Sequence, residues 1–182
     1  MSTPGQMTIW RSTPSLEVMN TLSSQCLIGR LGIEFVDVGD RHLTARMPVD
    51  DRTRQPLGLL HGGASLALAE TLASWAASLT VDLEQVTCVG LEINGNHLRP
   101  VSSGRVTGVA RPVQLGTHVQ VWEVEIADDE DRPVCLSRCT IALVSAVVRS
   151  PGPDGGLVRS LDLTSAARGG GSRSPAPTPS RW

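Results

Sequence analysis

One short segment of this 182-residue chain gathers the groups best suited to chemistry. Glu70 is the only charge in a run from Ala64 to Leu79 otherwise made of Ala, Leu, Ser, Thr and Trp. A carboxylate in such a run is costly to bury unless it is paired or functional. A carboxylate held away from water also suits a base or nucleophile that works near neutral pH. The structural alternative is a Glu hydrogen-bonded to a buried Ser or a backbone group. Immediately before the run stands His61-Gly62-Gly63. Two glycines let a ligand approach the backbone, and the unpaired N–H groups at a helix start favour a developing negative oxygen. Alternatively, a loop-to-helix turn simply needs glycine there. Gln55, in the loop before, is able to hydrogen-bond a carbonyl or orient a water, or is merely solvated.

Distance constrains how these residues cooperate. Gly62 and Glu70 are eight residues apart, about 12 Å along one helix axis. Glu70 therefore does not reach a carbonyl polarised at the N-terminus of its own helix. Two antiparallel helices from two subunits remove the difficulty, since one supplies the N-terminus and the other the Glu. The expectation is a composite site at the interface of a homo-oligomer.

The elements that must position these groups follow from patterning. Thr13-Pro14-Ser15-Leu16-Glu17 predicts a helix start, with about 15 residues running toward Gly29 or Gly32. Ile33 to Val38 and His42 to Met47 predict a hairpin across Gly39-Asp40. Pro48 to Gly58 is a polar loop. Ala64 to Leu79 predicts a helix buried on all sides, because it has almost no polar face. Gln85–Leu98, Arg105–Gln114, Thr117–Ile126 and Val134–Val148 predict four strands in an antiparallel meander. The expected class is α+β: a curved antiparallel sheet of about six strands wrapped around one long central helix. Residues 1–13 are expected to be a flexible N-terminus, 14–148 the folded domain, and 149–182, rich in Gly, Pro and Ser, a disordered tail.

Composition excludes several classes. The formal charge is -2 and the pI about 6.1, which argues against nucleic acid as a partner. No apolar run has the roughly 18 residues a membrane span needs, and the first 15 residues lack a signal-peptide apolar core. The expectation is a cytoplasmic protein with no membrane partner. All 16 basic side chains are Arg, so no Lys is available as a Schiff base. Cys135 and Cys139 lie four apart on a predicted strand, roughly 13 Å at about 3.3 Å per residue, too far for one zinc. With Cys26 and Cys88 they read as reduced, mostly buried thiols, with no metal site. Elsewhere His97 ends a strand before Arg99, His118 follows Gly116-Thr117, and His42 reads as solvated. Arg99, Arg105 and Arg111 either form a phosphate-binding rim or lie on a solvated face.

The run Gln55-Pro56-Leu57-Gly58-Leu59-Leu60-His61-Gly62-Gly63-Ala64-Ser65, followed by Leu68-Ala69-Glu70, resembles the hotdog-fold acyl-CoA thioesterases. The branch most resembled holds 4-hydroxybenzoyl-CoA thioesterases with a helix Glu and 1,4-dihydroxy-2-naphthoyl-CoA hydrolases of menaquinone synthesis. Met47-Pro48-Val49-Asp50, Val89-Gly90-Leu91-Glu92-Ile93-Asn94, Gly104-Arg105-Val106 and Gln120-Val121-Trp122 extend the likeness over about residues 15–145. The resemblance implies Glu70 as nucleophile or general base. It implies the Gly62 N–H as the carbonyl-polarising donor, with Gln55 and His61 beside it, and Ser74 as a small polar residue near the attacking group. It implies contacts to CoA or the acyl group from Gly90, His97, Leu98 and Arg99 and from the turn with Gln114, Gly116, Thr117 and His118. It implies an acyl-CoA substrate, no cofactor (CoA being part of the substrate), and a dimer of dimers. With no Tyr and one Phe, Phe35, the candidates for stacking on an aromatic acyl group are Trp10, Trp75 and Trp122. Leu57 and Thr71 depart from the residues common in relatives, and both positions bear on acyl selectivity.

Three activities remain to be separated: thioester hydrolysis, hydration or dehydration with His61 as the catalytic group, and acyl-CoA binding without turnover. The His-Gly-Gly to Glu spacing fits the first best, and a pure binder has no reason to bury a carboxylate.

Overall fold

The computed structural model describes residues 8–12, 14–147 and 160–161. Helix α1 (Leu16–Ser23) begins where the Ser15 hydroxyl accepts from the Val18 N–H, with Glu17 in its first turn. Thr13 lies outside the described residues. The helix does not run on to Gly29 or Gly32; one separate turn, α2 (Leu27–Arg30), follows it. Side chains explain the break. Ser24 Oγ donates to the Thr21 carbonyl and Cys26 Sγ to that of Ser23, capturing acceptors that a continuing helix needs.

Strands β1 (Glu34–Val38) and β2 (Leu43–Pro48) form the expected hairpin. His42, expected to be solvated, reaches back with Nε2 2.9 Å from Asp37 Oδ2. The central helix α3 (Gly62–Leu79) buries Ala64, Leu68, Ala69, Leu72, Ala73, Ala76 and Ala77 against the sheet. Small residues on both partners let them approach: a Cβ on Gly108 would collide with Leu72 Cδ1. The helix is not buried on all sides, however. Glu70 is exposed and Thr71, Ser74 and Trp75 are half-buried, because the sheet of one chain covers only one side.

The sheet continues with β3 (Val86–His97), β4 (Arg105–Leu115), β5 (Val119–Asp128) and β6 (Pro133–Val147). Its order is β1-β2-β4-β5-β6-β3, antiparallel throughout. The meander is therefore confined to β4, β5 and β6; β3 does not pair with β4 but forms the far edge beside β6. The link after β3 makes no tight turn. Leu98 N–H donates to the Val134 carbonyl, and Leu60 and Val49 donate to the carbonyls of Val101 and Gly104. The chain thus crosses three strand spacings, about 14 Å, within the reach of its seven extended residues. This crossing lays the end of β3 against the entrance to α3.

Part of the expected flexible N-terminus is docked. The Trp10 ring stacks on Trp122 at a centroid distance of 6.4 Å, its Nε1 donates to the Gly39 carbonyl, and Arg11 N–H donates to the Leu79 carbonyl. Of the expected tail, Ser160–Leu161 forms β7 beside Ala146 and Val147, and the rest lies outside the described residues. No helix among the described residues is long and apolar enough to cross a membrane.

Candidate active site

The loop before α3 is braced from both sides. Thr53 Oγ1 donates to the Pro48 carbonyl at 2.7 Å and accepts from the Asp50 N–H. Arg52 grips Asp50 at 2.6 Å and, with the Arg52 N–H, holds its carboxyl down to about 2. The chain then turns tightly from Gln55 to Gly58, whose φ of 80° favours glycine. Gln55 Oε1 accepts from the Leu57 N–H at 2.7 Å. That bond fixes the amide, leaving the Gln55 NH2 as a donor with no acceptor among the described residues.

His61 caps α3. Its Nδ1 accepts from the Gly63 N–H at 2.8 Å, so the ring carries its proton on Nε2. His61 therefore holds the helix start rather than lining the cavity beside it. The next donor is different. The Gly62 N–H has no acceptor among the described residues. The His97 ring packs against Gly62 so closely that a Cβ there would stand 2.7 Å from Nε2. Gly62 opens on a cavity of about 370 Å³, at the lower end of the range for small-molecule sites. Gln55, His97, Leu98 and Arg99 line it, with Leu59, Leu60 and Val134 as apolar walls.

Other expected site residues lie elsewhere in the same chain. Glu70 sits on the uncovered side of α3, with Ser74 one turn on, and its Oε1 is 3.0 Å from where a Gly90 Cβ would be. Glu70 and Glu92 both reinforce burial in pushing the Cys139 thiol up to about 12. Gly116 and Thr117 line a different cavity of about 420 Å³, with Thr80, Asp82 and Gln120. Gln114 and His118 flank that turn; Thr117 Oγ1 is 3.0 Å from His118 Nδ1. This cavity is at the other end of α3, whose 18 residues span about 27 Å.

The aromatic candidates are spent on packing. Trp122 is fully buried, with Nε1 donating to Gln120 Oε1; Trp75 packs edge-on against Phe35 at 5.7 Å; and Trp10 covers Trp122. None of the three lines the Gly62 cavity. The arginines form no single rim either. Arg105 and Arg111 are six residues apart on β4, roughly 20 Å, and Arg111 pairs with Glu125 at 3.9 Å. Three of the four cysteines are buried or half-buried as expected, but Cys26 is exposed, and all four are free. Among the described residues no three His, Cys, Asp or Glu side chains are gathered to hold a metal.

Sequence reading missed Leu59, Leu60, Ser65, Pro100 and Val134 as cavity residues. For Ser65 a signal existed: it follows Gly62 by three positions and shares its helix face. For Val134 and Pro100 there was none, since only the crossing after β3 brings them there.

A sequence profile described as the thioesterase superfamily matches residues 57–135. The 1,4-dihydroxy-2-naphthoyl-CoA hydrolase of Escherichia coli is 48% identical over 136 residues, which are 75% of this chain and 99% of that protein. Among solved structures, a point mutant of thioesterase PA1618 from Pseudomonas aeruginosa superposes with a TM-score of 0.75 at 50% identity, covering 76% of this chain and 99% of the other. Thioesterase HI1161 from Haemophilus influenzae does so with a TM-score of 0.74 at 47% identity, covering 76% and 96%. The α+β architecture is thus the hotdog fold, and the chain belongs to the thioesterase superfamily.

Proposed function

We propose that this thioester hydrolase cleaves aromatic acyl-CoA esters of the 1,4-dihydroxy-2-naphthoyl or hydroxybenzoyl type to the free acid and CoA. The observation that carries the chemistry is the Gly62 N–H, a helix-end donor with no acceptor among the described residues, opening on a walled apolar cavity. A thioester carbonyl there gains a hydrogen bond that strengthens as its oxygen becomes an oxyanion. The Gln55 NH2 stands at the same cavity as a second donor. The acyl preference rests on the 48% identity to a hydrolase of a dihydroxynaphthoyl ester.

Glu70 supplies the attacking function. Acting as a base, it takes a proton from water while the water oxygen bonds to the carbonyl carbon. Acting as a nucleophile, it bonds to that carbon itself, and water then cleaves the mixed anhydride. Either way the C–S bond breaks, the electron pair leaves with CoA thiolate, and a proton returns to sulfur. Water is the only co-reactant. Because Glu70 is about 12 Å along the helix from Gly62 and exposed in the single chain, it serves the cavity of a second copy. The working form is a homo-oligomer of dimers, in the cytoplasm where acyl-CoA esters turn over. His61 holds Gly63 through Nδ1 and does not line the Gly62 cavity, which favours hydrolysis over the hydratase reading.

Thiol release measured with DTNB on dihydroxynaphthoyl-, hydroxybenzoyl-, benzoyl- and medium-chain acyl-CoAs tests this. Highest kcat/KM on the hydroxylated aromatic esters is expected. Preference for medium-chain esters contradicts the aromatic reading, and no turnover of any ester contradicts the hydrolase reading.

A further inference from the structure

Strand β3 lies along α3, and its residues meet the helix one after another. His97 packs against Gly62, Gly95 against Leu66, and Gly90 against the carboxylate of Glu70. Gly90 and His97 are seven residues apart, so on a regular strand they would face opposite sides. A β-bulge changes this. The pairing with β6 passes from Gly90 opposite Ile141 to Glu92 opposite Thr140, which leaves Leu91 as the extra residue. Both halves of β3 therefore turn the same face to α3.

Glycine at position 90 needs a reason, because glycine weakens a strand interior. The backbone does not supply one: the glycines with positive φ among the described residues are Gly32, Gly58 and Gly104. Packing does not supply one either. At Gly95 an added Cβ would stand 2.6 Å from Leu66 Cδ2 and 3.3 Å from Cys135 Sγ, so the core requires that glycine. At Gly90 the atom that an added Cβ would meet within 4 Å, among the described residues and beyond its chain neighbours, is Glu70 Oε1 at 3.0 Å. Ordinary van der Waals contact begins at 3.4 Å, so an alanine methyl would push the carboxylate aside by a few tenths of an ångström.

We infer that Gly90 is a positioning residue: the space left by its missing side chain seats the Glu70 carboxylate where it attacks. The inference rests on the reading above that Glu70 supplies the attacking function. Gly90 acts through Glu70 and not on the ester itself. A reacting group tolerates little displacement, since a misplacement of about 1 Å costs about a hundredfold in rate.

The test measures kcat, KM and the thermal midpoint of Gly90→Ala, Glu70→Ala and the double variant, on the acyl-CoA that wild type hydrolyses fastest. In Gly90→Ala a shift of a few tenths of an ångström predicts that kcat falls about tenfold with KM within about twofold of wild type. The midpoint holds or rises, because alanine restricts the unfolded chain more than glycine does. In the Glu70→Ala background, adding Gly90→Ala leaves the residual rate unchanged, since no carboxylate remains to displace. A raised KM with kcat intact would make Gly90 a substrate contact, and a lower midpoint would make it a packing glycine. An unchanged kcat, or an equal loss with and without the Glu70 carboxylate, would show that it does not act through Glu70. Each of these overturns the inference. If Glu70→Ala itself is as fast as wild type, the attacking role of Glu70 fails and takes the inference with it.

Discussion

The two ends of helix α3 are finished in opposite ways. At the C-terminal end a chain of polar groups is answered within the protein. Thr80 N–H and Oγ1 both reach the Ala77 carbonyl, Gln120 Nε2 donates to Thr80 Oγ1, Trp122 Nε1 donates to Gln120 Oε1, and Arg11 N–H takes the Leu79 carbonyl. Trp10 lies across the top. At the N-terminal end Gly62 and Gln55 line a cavity, and the Gly62 N–H and the Gln55 NH2 have no acceptor among the described residues. Each end adjoins a cavity, but Thr80, Asp82 and Gln120 around the C-terminal one are paired within the chain, so that end is closed by its own bonds, whereas the N-terminal end is left open for a ligand. The difference is local, because the same sheet supports both.

Substitutions at the two ends should therefore separate rate from stability. The largest effect is expected from Glu70→Ala. Its kcat falls at least about a thousandfold, roughly 4 kcal/mol of barrier, while its thermal midpoint stays near that of wild type, since the exposed side chain holds no core contact. At the closed end Trp122→Ala does the reverse. Losing this fully buried ring costs about 3 kcal/mol or more, read as a lower denaturant midpoint, with little change in rate per folded molecule.

Gly62→Ala sharpens the contrast within the open end. Alanine favours a helix by about 1 kcal/mol over glycine, so the thermal midpoint should hold or rise. Its methyl pushes on the His97 ring and stands beside the oxyanion donor, so kcat/KM should fall ten- to a hundredfold, roughly 1.4–2.8 kcal/mol. Loss of stability together with rate would mean that Gly62 is only a packing glycine.

The smallest effect concerns the loop that presents Gln55. The Arg52 guanidinium, aided by the Arg52 N–H, lowers the Asp50 carboxyl from 3.8 to about 2. A carboxyl lower in the folded than the unfolded state stabilises the fold above the unfolded value, and that contribution fades as pH falls from about 4 to 2. The difference in unfolding midpoint between wild type and Asp50→Asn should accordingly shrink across that window and be constant above about pH 5. A difference that grows on acidification would refute the assignment.

Much of this arrangement was legible in the sequence, for reasons that can be named. Strand and helix periodicity located β1 to β6 and α3, and the Gln55, His61-Gly62 and Glu70 spacing located the open end. The failures share a physical origin in long-range contact. Strand pairing is not encoded by proximity along the chain, so β3 was expected beside β4 when the Pro100 crossing sends it to the far edge. Its consequence, Val134 and Pro100 at the cavity, was hidden as well. Gln114 to His118 were expected with the other substrate contacts, but in one chain they lie at the closed end. Trp10 looked free because nothing near it in sequence hints at Trp122. Glu70 looked buried because the residue pattern of α3 does not show that the sheet of one chain covers only one side of the helix.

That last point carries the central claim, that Gly62 of one chain works with Glu70 of another. The most direct measurement is complementation. Purified heteromers of Glu70→Ala chains and Gly62→Leu chains, each inactive alone, are assayed for aromatic acyl-CoA hydrolysis. A site shared between chains predicts recovered activity, because each heteromeric pair contains one site with both residues intact. Heteromers as inactive as their parents would contradict it and return Glu70 and Gly62 to a single chain.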